Sequence, residues 1–258
     1  MNTTNNTIFI PGATSGLGLA LALSLQAKGN TVIVGGRRVE LLESIAREHP
    51  GIDTVEIDTA DAASIGRAAE KVLAAHPRLN VLVTMAGIMR AEDWHSPAGF
   101  VGTAEQIVTT NLLGPIRLIG AFIEHLQAQA DAAIVTVSSG LAFVPLAATP
   151  SYNASKAAIH MLSEGVRLQL ADTSVRVIEL VPPAVRTALM PGQEQSPVAM
   201  PLDEFIAEAA ALLDERLEGE AGEVLVEGVK LLRFAETRGD YDAVVSRLNA
   251  TDPHSRAS

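Results

Sequence analysis

The chain has 258 residues, 48% of them hydrophobic and 19% charged, enough apolar material for a substantial core and unlike the composition of a disordered chain. Its 30 acidic residues outnumber 19 Lys and Arg, and the resulting net charge of −11 repels a phosphate backbone, which argues against a nucleic acid partner. The absence of cysteine excludes a disulfide framework, thiolate metal clusters and a cysteine nucleophile.

Met1–Thr7 is polar with no basic run, so no secretion signal is expected. Thr7–Ile10 reads as a strand and Leu17–Lys28 as a helix, joined by Pro11-Gly12-Ala13-Thr14-Ser15-Gly16-Leu17-Gly18. Glycines at that spacing allow a tight turn and a close backbone approach to a pyrophosphate, with the helix N–H groups facing the anion. Gly12, Thr14, Ser15, Gly16, Leu17 and Gly18 are therefore candidates for dinucleotide binding, with an ordinary strand-to-helix turn as the plainer alternative. The second strand, Thr31–Val34, runs into Gly35-Gly36-Arg37-Arg38. No carboxylate stands there to accept from a ribose 2′-OH, and two guanidiniums suit a 2′-phosphate. Arg37 and Arg38 thus point to NADP(H) in preference to NAD(H), unless they are only solvated residues before the next helix.

Apolar residues at three- and four-residue spacing predict helices over Glu40–Glu48, Ala62–Ala75, Thr103–Ala128 and Tyr152–Leu170. The β-branched runs Thr54–Ile57, Asn80–Thr84, Ala133–Val137 and Val175–Leu180 read as strands, several of them apolar enough to be buried on both faces. This alternation predicts an α/β fold, a doubly wound, Rossmann-like parallel sheet with helices on both faces, forming a single domain over residues 1–237. The apolar runs fall short of the ~18 residues a membrane span needs, or are interrupted by Arg, Glu or Pro. A cytoplasmic protein with no membrane partner is the expectation. From residue 182 to about 202, Pro182, Pro183, Pro191, Pro197 and Pro201 break the pattern, which predicts a mobile loop suited to cover a substrate. Glu204–Glu215 then reads as a helix, Glu223–Val226 as a last strand, and residues 238–258 as a polar C-terminal tail with some disorder.

Tyr152-Asn153-Ala154-Ser155-Lys156 places a phenol and an ammonium four residues apart, on one face of a helix. A neighbouring cation lowers a phenol's pKa, which suits a group that exchanges a proton with a carbonyl or alcohol oxygen. Upstream, Ile134–Ser139 ends a strand with two hydroxyls at the carboxyl edge of the sheet, where open α/β folds bind ligands; either serine also serves as a plain strand-end cap.

The glycine turn, the 13 positions from Ser139 to Tyr152, and Tyr-x-x-x-Lys together resemble the short-chain dehydrogenase/reductase family, from Thr7 to about Phe234. The residues after Ser139, with Pro182-Pro183, are similar to a bacterial, NADP-type branch of it. The resemblance implies catalytic roles for Asn111, Ser139, Tyr152 and Lys156, with Asn111 holding a water that links the lysine to solvent. It implies that Gly12, Gly16 and Gly18 hold the pyrophosphate, that Asp58 and Thr59 meet the adenine, and that Ala86 and Gly87 lie along the cofactor. Tyr152 and Lys156 would also hold the nicotinamide ribose, and Pro182, Val185 and Thr187 the nicotinamide end. The implied activity is NADP(H)-dependent interconversion of a carbonyl and a secondary alcohol, in a homodimer or homotetramer.

Three departures from the family pattern bear on this reading: Pro11 replaces a threonine, Met85 replaces the second amide of Asn-Asn-Ala-Gly, and Pro183 replaces a glycine. Pro11 and Met85 favour an alternative, a nucleotide-binding regulatory or scaffold protein of the same fold with little turnover. Met89, Trp94, Phe143, Leu146, Leu189 and Met190 in the expected pocket suggest a hydrophobic substrate, whereas Arg90 or Arg186 would suit a carboxylate. The histidines show no metal-ligand spacing, and no metal site is expected.

Overall fold

The computed structural model describes residues 3–251. Seven strands, β1 (Thr7–Pro11), β2 (Thr31–Gly36), β3 (Ile52–Glu56), β4 (Val81–Thr84), β5 (Ala132–Val137), β6 (Val175–Val181) and β7 (Glu223–Leu225), form one parallel sheet in the order β3-β2-β1-β4-β5-β6-β7. Every residue of β1 and of β5 is buried, which accounts for their continuous apolar runs: both faces of each strand are covered. Alternation assigns the faces. Ala133, Val135 and Val137 join one core cluster, while Ala132 and Ile134 join the other.

The first cluster is completed by α1 (Gly16–Ala27), α2 (Val39–Glu48) and α7 (Leu202–Glu218), and the second by α3 (Ala62–Ala75) and α5 (Gly114–Gln127). The single Rossmann-like α/β domain expected from the sequence is the fold observed. β1 lies between β2 and β4, and the chain leaves their carboxyl ends toward opposite faces of the sheet. That reversal opens the crevice in which such sheets bind ligands.

Two predicted elements differ in the structure. The helix expected over Thr103–Ala128 is divided into α4 (Val101–Val108), a π turn at Thr109–Leu113, and α5. Pro115 has no N–H to give the carbonyl of Asn111 four residues back, so a straight α-helix cannot run through. The run Pro97–Gln127 is apolar and long enough to cross a membrane by length and composition alone. Leu118, Phe122 and Leu126 are nonetheless fully buried in one core cluster with Phe9, Leu82 and Ile134, so this is a core face.

The second difference is at the C-terminus. After α8 (Glu227–Arg233) and α9 (Ala235–Arg238), Tyr241–Thr251 forms helix α10 where a polar, partly disordered tail is expected. Val244 buries against Val144 and Ala235 in a small separate core, and Asn249 ties the helix to the loop before α6 (Pro150–Gln169), donating to the Pro145 carbonyl (3.1 Å) and accepting from the Ala147 N–H (2.6 Å). Tyr241, Val245 and Leu248 pack beside Val244, and these anchors suffice because the helix docks rather than stands alone. The rest of the expected tail, residues 252–258, lies outside the described residues.

Candidate active site

The glycine turn follows β1 directly. Gly12 has φ +89°, and a Cβ there would lie 2.5 Å from the Cα of Ala86 at the end of β4, so only glycine lets the two strand ends approach this closely. Ser15 precedes α1 without a side-chain capping bond, leaving its hydroxyl and the first-turn N–H groups facing the crevice. Met85 fills space beside the turn, its Cγ 3.0 Å from where a Gly18 Cβ would stand, so an apolar contact replaces the amide.

A cavity of about 640 Å³ extends from this turn along the sheet edge, lined by Gly12, Thr14, Ser15, Arg37, Arg38, Asp58, Thr59, Ala86 and Gly87 among others. Arg37 and Arg38 are exposed at its rim, and Arg38 donates to the Thr14 hydroxyl (3.3 Å). Asp58 is held by its own turn, accepting from the Ala60 N–H (3.0 Å). The donor set fits a dinucleotide carrying an extra phosphate: free helix N–H groups at one point and two guanidiniums at another.

A second cavity of about 340 Å³ continues from the first, bounded by Gly16, Leu17, Gly18, Ser139, Tyr152, Lys156, Pro182, Val185 and Thr187. The structure thus brings the expected cofactor residues and three of the four expected catalytic residues to two adjoining spaces. Ser139 precedes a 3₁₀ turn, with its Oγ accepting from the Leu141 N–H (3.1 Å). Tyr152 and Lys156 lie on the first turns of α6. Lys156 Nζ donates to the Val137 carbonyl at the end of β5 (2.7 Å) and sits 5.6 Å from the Tyr152 ring centre.

The fourth residue, Asn111, is buried in the π turn and commits its whole amide to neighbours. Its Nδ2 donates to the Ile88 carbonyl (2.9 Å) and the Ser155 hydroxyl (3.1 Å), and its Oδ1 accepts from the Ile88 N–H (2.9 Å). Both amide protons being used, the side chain pins the segment after β4 to α6.

Burial controls the two titrating groups. Desolvation pushes the Tyr152 phenol up to about 12, partly opposed by a hydrogen bond with the Ser139 side chain. Desolvation likewise pushes Lys156 down to about 8, with the charge of Glu179 acting in the opposite direction. Burial raises the phenol's pKa in place of the lowering expected from the neighbouring ammonium, with the Ser139 hydrogen bond as the opposing contribution.

Sequence reading missed the group behind Lys156. Glu179, fully buried on β6, accepts a short hydrogen bond from Ser138, and His160 Nδ1 lies 3.1 and 2.9 Å from its two oxygens. Glu223 is clasped by Arg233 through two contacts of 2.6 and 3.0 Å. His160, Glu179 and Glu223 offer ligand atoms within 4.8 Å of one another, yet each already has a protein partner. A lone carboxylate in the apolar run Val175–Val181 is the signal that would have found this network.

A parallel sheet with a glycine turn at its switch point, and a Ser, Tyr and Lys converging beside it, defines a nucleotide-dependent oxidoreductase of the Rossmann type. The short chain dehydrogenase family model matches residues 6–197, and the chain belongs to that family, whose members bind a nicotinamide cofactor and act on small molecules. A Bacillus subtilis (strain 168) protein described as the uncharacterized oxidoreductase DltE is 39% identical over 256 residues, spanning 98% of this chain and 100% of the relative. A short chain dehydrogenase from Burkholderia cenocepacia J2315, solved in complex with NADP, superposes with a TM-score of 0.78 at 27% identity, covering 98% of this chain and 100% of that one. A 3-ketoacyl-(acyl-carrier-protein) reductase from Brucella melitensis, complexed with NADH, shares the fold with a TM-score of 0.79 at 23% identity, over 88% of this chain and 98% of that one.

Proposed function

We propose that the protein catalyses reversible, NADP(H)-dependent interconversion of a carbonyl and a secondary alcohol. The observation that carries this reading is the convergence of Ser139, Tyr152 and Lys156 on one wall of a cavity that runs back to the glycine turn and the arginine pair. The nicotinamide, when bound, supplies or accepts the hydride. Arg37 and Arg38 would clasp the 2′-phosphate, the α1 N-terminus the pyrophosphate, Asp58 and Thr59 the adenine end, and Val185 and Thr187 the nicotinamide end.

Tyr152 is a protonated phenol at neutral pH, and its raised pKa makes it a weaker acid than a free phenol, so the transfer depends on its position beside the oxygen and on the charge developing there. In reduction it gives its proton to the carbonyl oxygen as negative charge develops there, while the Ser139 hydroxyl donates to the same atom. In oxidation the phenol first gives its proton to solvent, the Lys156 ammonium stabilises the phenolate, and the phenolate then takes the hydroxyl proton of the alcohol. Val137 orients Lys156 through its carbonyl, and Asn111 keeps the floor of the site in register.

Tyr152→Phe tests this directly. Turnover of carbonyl substrates should fall by about 10²- to 10⁴-fold while NADPH binding is retained. Full activity in that variant would end the assignment. Unaltered cofactor binding by a wild-type protein that turns over no carbonyl or alcohol would favour the regulatory or scaffold alternative.

A further inference from the structure

Beyond Ser139 and Tyr152 lies a third space, of about 380 Å³, that shares Met89, Ser139, Tyr152, Pro183, Leu189 and Gln193 with the catalytic cavity. Its character differs from that of the cofactor crevice. Met89, Leu141, Leu146, Met190, Val198 and Leu248 dominate it, and none of the described residues that line it is charged. The crevice, in contrast, is lined by Arg37, Arg38, Asp58, Arg90 and Glu105.

The two arginines that would reverse this character face elsewhere. Arg90 borders the other two cavities, and Arg186 turns its Nε to the carbonyls of Ala199 (3.1 Å) and Ser196 (3.2 Å). The wall is built, not incidental. The proline-rich loop is stitched at its neck, with Arg186 N–H donating to Met200 O and Met200 N–H to Ala184 O, both at 2.9 Å. The far wall is α10, whose Leu248 and Thr251 face the space while the neighbouring Asn249 fastens the helix around Leu146.

We infer that this chamber receives the body of an uncharged, aliphatic ketone or secondary alcohol, and that α10 sets the length of chain accepted. The inference rests on the reading of Tyr152 and Ser139 as the reacting end. A carboxylate or ammonium would lose its hydration there without gaining a partner, whereas each methylene leaves water for an apolar wall.

The test uses the full-length protein with NADPH and a homologous series of methyl ketones from acetone upward. kcat/KM should rise about fourfold per methylene, equivalent to about 0.8 kcal/mol, and level off once the chamber is full. Keto acids of equal length should be poorer by about 100-fold or more. Leu248→Trp should move the plateau to shorter chains. A flat series, a preference for keto acids, or an unmoved plateau in Leu248→Trp would overturn the assignment.

Displacement of a neutral solvatochromic dye by secondary alkanols and by carboxylates of matched length separates the chamber from the chemistry. Displacement that tightens with chain length for the alkanols alone supports the chamber even if no ketone is reduced, in which case the hydride-transfer reading falls. Equal displacement by the carboxylates, or none by either, sinks the chamber.

Discussion

At the scale of single residues, the site is governed by the cost of burying ionisable groups. Lys156 has a folded pKa of about 8 against an ordinary value of 10.5, so below pH 8 it is charged in both states and the full burial penalty opposes folding. Between pH 8 and 10.5 the unfolded chain holds more protons on this residue than the folded one, so stability rises with pH through that window. The gain is at most about 3 kcal/mol. Denaturant unfolding of the wild type and of Lys156→Met across this range should show the rise in the former and its loss in the latter. Parallel pH profiles for the two would contradict it.

Cofactor choice is argued at the same scale. Each charge-assisted hydrogen bond is worth about 1.5–3 kcal/mol, so Arg37→Ala should weaken NADPH by roughly 10- to 100-fold while leaving NADH nearly unchanged. Equal losses, followed by nicotinamide fluorescence, would place the 2′-phosphate elsewhere. The Tyr152–Lys156 pairing and the glycine turn were legible in the chain because their spacing is local: four residues on a helix, six on a turn. The Ser138–Glu179–His160 contact joins β5, β6 and α6, and no spacing rule reports it.

At the scale of elements, the π turn fastens the site. Replacing Asn111 by Ala removes three hydrogen bonds and leaves the Ile88 N–H and C=O without the amide that satisfies them. The expected cost is about 1–3 kcal/mol, or roughly 2 to 4 °C in Tm for each kcal/mol. KM for NADPH should rise with it, because Gly87 and Ile88 border both cavities. An unchanged melting profile and KM would show the pin to be idle.

The strands were legible to within a few residues, the central ones because burial on both faces writes continuous β-branched runs. Three features were not. The helix break needed Pro115 to be read as an interruption rather than a tolerated residue near a helix start. The stitched neck of the loop depends on a bridge between Val185 and Met200, residues far apart in sequence. The docking of α10 depends on Val244 and Asn249 meeting Val144, Pro145 and Ala147, about a hundred positions earlier.

At the scale of the molecule, helices leave apolar side chains unpacked. Val101, Val108 and Ile116 on α4 and α5 are 43%, 39% and 42% exposed, and Met161 and Leu168 on α6 reach 68% and 79%. Surfaces of this kind mark association, and the expectation is a homodimer or homotetramer. Size-exclusion chromatography at two concentrations should show the oligomer, and Met161→Glu with Leu168→Glu should shift it toward monomer. A monomeric wild type at both concentrations would remove the expectation.

The family model ends at residue 197, whereas Val198, Leu232, Leu248 and the whole of α10 come after it. The proposed proton-transfer and cofactor residues thus fall within the stretch the family model matches, and the far end of the proposed chamber falls after it. On the proposed reading the C-terminal segment is an exchangeable module: grafting another sequence after α9 should retune which molecules are admitted while the proposed reacting groups stay in place.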